Sequence, residues 1–370
     1  MLIKNATVHI GNGEIRGNSD VLIKAGKIAR IGQDLNSEEE GRILDAEGLH
    51  LFPGFIDPMS SIGSMDKSYR IKDTDEFSKP VTPLADVRYA FNPDEIMLEE
   101  LYKVGITAIG AAPGNANVIG GKMAAFRTWG HNVNRMLIRD FTGLKGSVSH
   151  NVKSTYGSRN VLKTRMGIFR ELMTFLSSGA EGPHHEVLRP VLRGEVPLFI
   201  TANTKAEIDA LIHIVRDYPI RLVICNAYQA QHCAEGIRSI DASLIMGEQV
   251  YLSKNVYNDI DLAVFGGLKT RNNHLSFTIS GDWGPSGRVK YLWNAIRFFQ
   301  AGLDAEEVVR LMTSEPAALL GIDDRVGQVA EGLDADLVLY TSHPVKFYDA
   351  RVRCTLIQGE IVYEEEPVCF

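Results

Sequence analysis

The sequence predicts an α/β fold in which a parallel sheet of βα units occupies the middle of the chain and a smaller β-rich unit is assembled from its two ends. Three observations carry this expectation. Apolar β-branched segments alternate with amphipathic stretches through the central region, the pattern of strands joined by crossover helices. Both ends hold short β-prone runs separated by turn residues. At 370 residues the chain exceeds an average domain and suits an elaborated α/β barrel.

The elements follow in order. Leu2 to Val8, then Gly11-Asn12-Gly13, then Val21 to Gly32 read as hairpins of a small sheet. Ile106–Gly110, Leu198–Ala202, Leu222–Cys225 and Leu275–Ser280 read as buried strands, and Pro93–Val104, Thr164–Leu176, Lys205–Arg216 and Arg288–Ala301 as helices. Ala317-Ala318-Leu319-Leu320 reads as a helix stopped by Gly321. Ala335–Tyr340 and Cys354–Tyr363 return to β-rich sequence and match the N-terminal end in kind. In a closed barrel of βα units the active site lies at the C-terminal strand ends, so residues just after each strand are the functional candidates.

Composition narrows the classes of function. A net charge of -7 and a pI near 5.8 leave no basic excess, which disfavours nucleic-acid and membrane partners. No apolar run approaches the roughly 20 residues of a membrane span. Met1-Leu2-Ile3-Lys4 enters a strand-like pattern at once, without a signal-peptide profile, so the expected location is cytoplasmic. Cys225, Cys233, Cys354 and Cys369 are irregularly spaced without a CxxC pair and read as reduced structural thiols.

Leu51-Phe52-Pro53-Gly54-Phe55-Ile56-Asp57 resembles the first barrel strand of the amidohydrolase superfamily, specifically the metal-dependent amidohydrolases related to imidazolonepropionase. Further stretches carry the resemblance along nearly the whole chain: Ser19–Gly32 with Asp45–Gly48, Val104–Thr107 with Pro113–Gly121, Thr164–Gly167, and Thr313–Gly321 with Gly327 and Glu331–Leu337. The resemblance implies a (β/α)8 TIM barrel, residues 53–325, joined to a composite β-sandwich domain formed by residues 1–52 with 326–370. It implies hydrolysis of carbon-nitrogen bonds by water bound to a divalent metal, zinc being the family norm.

Carried over position by position, the family's metal ligands fail. The first-strand histidine pair falls at Met59 and Ser61, the bridging acidic or lysine ligand at His150, the later histidines at Asn203 and Asn226, and the last-strand aspartate at Asp282. A thioether, a hydroxyl and two amides are poor donors for zinc, which prefers imidazole, thiolate and carboxylate. Without a metal the pKa of water stays near about 15.7 instead of falling toward about 7. The expectation is therefore a protein with no cofactor and no metal ligands at this site. Met59, Ser61, His150, Asn203, Asn226 and Asp282 would line a pocket for a small polar molecule, with His150 and Asp282 as its central pair.

Alternatives stay open beside this reading. A rebuilt hydrolytic site for a cyclic amide would use His150 and Asp282 with Ser60 or Ser61 as nucleophile. His184-His185 with Glu181 and Glu186, or Cys225 with His232 and Cys233, could supply relocated metal donors. Pro113 to Lys122 is glycine-rich but lacks phosphate-loop spacing and reads as a loop at the barrel mouth. Lys145, Lys153, Arg159, Lys163 and Arg165 form a basic cluster around His150 that reads as a solvated face or as a selector for an acidic ligand. A homo-oligomer is compatible with all of this.

Overall fold

The structure, a computed structural model, describes residues 1–36, 41–65, 72–247, 261–279 and 287–365. The N-terminal strands are β1 (Leu2–His9), β2 (Ile15–Lys24), β3 (Lys27–Gly32), β4 (Ile43–Asp45) and β5 (His50–Pro53). Then come β6 (Phe55–Ser60), β7 (Ile106–Ala111), β8 (Ile119–Arg127), β9 (Leu137–Ser147), β10 (Leu198–Ala202), β11 (Leu222–Asn226), β12 (Ser243–Met246) and β13 (Leu275–Phe277). The chain ends with β14 (Leu337–Tyr340), β15 (Val352–Ile357) and β16 (Glu360–Glu364). Helices are α1 (Ile96–Tyr102), α2 (Val133–Met136), α3 (His150–Gly157), α4 (Arg165–Ser177), α5 (His185–Leu192) and α6 (Lys205–Val215). They continue with α7 (Ala234–Ser239), α8 (Leu262–Gly266), α9 (Gly287–Gln300), α10 (Ala305–Met312) and α11 (Ser314–Leu320).

The first sheet mixes both ends of the chain. Its order is β16-β15-β14-β5-β1-β2-β3, with β4 paired to β1. Strand β14 pairs antiparallel with β5 from Leu337 opposite Pro53 to Tyr340 opposite His50. Ile3, Val8 and Leu51 from one end thereby share a buried cluster with Leu337, Leu339 and Leu356 from the other. Neither end could bury this face alone, which is why the β-rich termini occur as a matched set.

The second sheet is nearly closed, with eight strands in the order β13 to β6. Its alternate residues Ile56, Ala108, Phe199, Val223, Cys225 and Ile245 fill the interior together with Ala317, Leu319 and Leu320 of α11. Near the gap between the first and last strands, Thr278, just after β13, donates Oγ1 to Met59 O at 2.6 Å, and Tyr291 of α9 donates Oη to Ile56 O at 2.8 Å. One strand departs from the parallel rule. β8 runs antiparallel to both β7 and β9, because the short segment between β7 and β8 holds no crossover helix that could return the chain in the parallel sense.

A buried ionic joint connects the two sheets. Arg127, at the end of β8, donates to Asp334 at 2.5 Å and to Asp336 at 3.0 Å just before β14. Lys27 and Arg325 also pair with Asp334, at 2.9 and 2.7 Å. Asp336 accepts further from the Gln358 amide at 2.7 Å. Among the described residues no helix is long and apolar enough to cross a membrane.

Candidate functional site

The C-terminal strand ends of the second sheet open on a cavity of about 970 Å³. Of the residues expected at the site, Met59, Ser61, His150, Asn203 and Asn226 all line it. Asp282 lies outside the described residues. Ser60, Thr74, Asp75, Asn115, Lys145, Asn151 and Tyr228 add polar groups to the wall.

Local structure explains how each side chain is presented. Ser149 caps α3, its hydroxyl accepting from Asn151 N, and Ser147 Oγ lies 2.9 Å from Ser149 Oγ, so the turn that carries His150 at the start of α3 is pinned. Asn203 follows β10 directly and its backbone amide donates to Glu207 Oε2 at 2.8 Å, the oxygen that also accepts from Thr204 N in the capping box that opens α6. Asn226 ends β11 in the left-handed region at φ 65° and is followed by Ala227 at φ 47°. Two such residues in succession are costly away from functional loops, and here they aim the Asn226 amide at Asn203 Oδ1, 3.3 Å away. Two glycines make room. A Cβ on Gly247 would stand 2.7 Å from Asn226 Oδ1, and one on Gly114 would stand 2.2 Å from the Asp75 carboxylate.

Of the basic residues that the sequence groups around His150, Lys145 stands apart. It belongs to no surface cluster: Lys153, Arg159, Lys163 and Arg165 are exposed, whereas Lys145 is 1% exposed. Its ammonium donates to Asn115 Oδ1 at 2.8 Å, Gly146 O at 2.8 Å and Thr201 Oγ1 at 2.9 Å. Thr201 in turn donates to Asn115 Oδ1 at 2.6 Å. All three N–H groups therefore meet neutral oxygens. Burial pushes the Lys145 pKa down to about 8, so the cavity floor carries a positive charge at neutral pH.

Asp57 sits beneath the mouth on β6, fully buried, with Oδ1 accepting weakly from Met59 N at 3.3 Å and Oδ2 unpartnered. Desolvation raises its pKa to about 6. Cys225, in the interior packing, is pushed up to about 12 by burial and is no nucleophile. Cys233 and Cys354 are likewise free and buried.

The described donors at the mouth do not fit a pair of divalent metals. Met59 gives a neutral sulfur, Ser61, Asn203 and Asn226 give neutral oxygens, His150 and Asp75 add one imidazole and one carboxylate, and the buried Lys145 ammonium in the same wall repels a cation. Among the described residues the relocated donor sets around His184-His185 and Cys225 do not gather three ligating atoms. His9, Glu306 and His343 do so elsewhere, within 4.8 Å of one another. This cluster escaped the sequence reading.

Comparison with known proteins fits this architecture. Residues 281–363 match the family model described as "Amidohydrolase family". Over 98% of its length the chain superposes on all of a crystal structure of an amidohydrolase from Thermotoga maritima MSB8, with a TM-score of 0.88 and 26% identity. The chain belongs to the amidohydrolase superfamily. It is also 25% identical to the amidohydrolase tasK of Hapsidospora irregularis across 94% of this chain, and 44% identical over 69 residues to an allantoinase of Escherichia coli. It spans only part of these two relatives, 40% of the first and 14% of the second.

Proposed function

We propose that this amidohydrolase-like protein, related to enzymes acting on carbon-nitrogen bonds, binds a small polar molecule at the mouth of its second sheet without classical metal-dependent hydrolysis. In this reading the second sheet is the (β/α)8 barrel of residues 53–325 and the first a composite sandwich of residues 1–52 and 326–370. The observation that carries the reading is the joint character of the mouth. Where the family places metal ligands, a thioether, a hydroxyl and two amides face one cavity. A buried ammonium held by neutral oxygens completes its floor. Such a wall recognises a ligand by hydrogen bonds and by the charges of Lys145, Lys72 and Asp75, which suits a small polar molecule with carbonyl or carboxylate acceptors.

The test is a thermal-shift screen of the purified chain against small cyclic amides, ureas and their ring-opened carboxylates, with chromatography of each mixture for products. A shift without turnover that is lost in Lys145→Met supports binding. Turnover accompanied by metal that Asn203→Ala or His150→Asn removes would overturn the proposal in favour of hydrolysis. A second reading draws on Ser61 and His150 lining the same cavity. Metal-free turnover abolished by Ser61→Ala and by His150→Asn would establish that rebuilt site, with Asp282 as orienting carboxylate.

A further inference from the structure

Far from the cavity in the chain's connectivity, four ligating side chains meet where the first sheet packs on α10. His9 ends β1, His50 begins β5, Glu306 lies in the first turn of α10, and His343 follows β14. His9 Nδ1 stands 3.0 Å from both Glu306 carboxylate oxygens, and His343 Nε2 stands 3.1 Å from Oε1. His9 and His343 are 1% and 2% exposed. The His9 ring is fixed by stacking on Phe52, with centroids 4.1 Å apart and planes at 11°.

We propose that His9, Glu306 and His343 form a binding site for one divalent transition-metal ion of the zinc class. Two imidazoles and a carboxylate are a zinc donor set, and a tetrahedral ion uses a water in the fourth position. Donors at zinc-ligand distances and tetrahedral angles lie roughly 3.4 Å apart, so the contacts of 3.0 and 3.1 Å to Glu306 need open by a few tenths of an ångström, and the three ligating atoms already lie within 4.8 Å of one another. The outer partner is in place. When His9 coordinates through Nδ1, its proton moves to Nε2, and His50 Nδ1, 2.9 Å away, accepts it. One contact opposes the ion: the Val345 amide donates to His343 Nδ1 at 3.2 Å and must give way when that nitrogen takes the proton. It is a single long bond between residues two apart, weak against coordination. The ion would fasten the end of β1 and the segment after β14 to α10, joining residues 297 and 37 positions apart.

The experiment uses the full chain, stripped with a chelator and titrated with Zn²⁺ or Co²⁺ alone. One equivalent of tightly bound metal, visible cobalt bands of a tetrahedral site and a raised Tm are expected. Glu306→Gln and His343→Gln should weaken binding by more than the roughly 10- to 100-fold expected of His50→Gln. His150→Asn should leave it unchanged. Absence of one-to-one binding, or binding kept in His343→Gln but lost in His150→Asn, would overturn the site; the latter result would also overturn the metal-free reading of the barrel mouth, whereas the former would leave it standing. Should the first two variants not fold, cobalt-shifted resonances of His9 and His343 in the unaltered chain decide the matter, and their absence with one equivalent bound overturns it.

Discussion

Replacing Lys145 by Met should change how stability depends on pH as well as its value. The Lys145 pKa is about 8 in the folded chain, against 10.5 for an unburied lysine. Between these values the unfolded chain binds the proton and the folded chain does not, so stability rises with pH across this window. Holding the charge in the fold below about pH 8 therefore costs about 3 kcal/mol, from 2.5 pKa units at about 1.36 kcal/mol each. Integrating the linkage relation, this group alone should add about 2 kcal/mol to the unfolding free energy between about pH 7 and about pH 9.5. Lys145→Met removes that increment while leaving Asn115 and Thr201 bonded to each other. The assay is urea denaturation of both chains at the two pH values. Other titrating groups cancel in the difference of differences, because distant sites add independently. A difference unchanged between the two pH values, or a Lys145 side-chain resonance titrating near 10.5, would refute the account of a desolvated ammonium at the cavity floor.

Further outcomes follow from the same geometry. Arg127→Met leaves the fully buried Asp336 without its ionic partner and should cost about 3–5 kcal/mol in denaturant titration at neutral pH. For Asp57 the sign is opposite to that of Lys145: its pKa is raised to about 6 from 3.8, so the folded chain holds the proton longer and stability falls as pH rises through that interval. Asp57→Asn should remove that fall, gaining up to about 3 kcal/mol at neutral pH, read as a widening gap from the parent chain between about pH 4 and about pH 6. Truncation at Gly327 deletes β14 and should unfold the first sheet, seen as loss of hydrogen-exchange protection in β1 and β5; retained protection would mean that the terminal strands fold separately.

Periodicity sufficed wherever one chain segment determines its own structure. The helix expected over Lys205–Arg216 is observed over Lys205–Val215 because its apolar face and its Thr204 cap are local. The strand over Leu198–Ala202 is observed with those bounds. β8 was not legible, since Val118-Ile119-Gly120-Gly121 reads as a loop. Gly121 is in fact the strand residue that lets Ala85 O approach to within 2.4 Å of where a Cβ would stand. Five site residues were placed by analogy to strand ends and do share one cavity. The sequence groups Lys145 with four exposed basic residues as a solvated face or a selector for an acidic ligand and does not separate it from them; its burial depends on Asn115 and Thr201 from other strands and loops. The His9–Glu306–His343 cluster has no spacing motif, being assembled only when the terminal sheet closes on α10.

The cavity floor also explains why restoring two histidines should not restore a metal. A dication bound in the same cavity as a unit positive charge is opposed by their mutual repulsion, which falls off with distance and with the effective dielectric of the site. The neutral amides of Asn203 and Asn226 offset little of this, and the Asp75 carboxylate in the same wall offsets part of it. Met59→His with Ser61→His should therefore bind zinc weakly while Lys145 is charged, and far more tightly once Lys145→Met is added. Measuring both in a His343→Gln background, by calorimetric zinc titration near neutral pH, confines the signal to the mouth of the second sheet. Equal affinity with and without Lys145 would show that the ammonium does not govern the site, and the missing ligands alone would then account for its chemistry. A large gain on its removal would show that the Lys145 charge and the neutral groups at Met59, Ser61, Asn203 and Asn226 act together, each making a divalent ion less favourable.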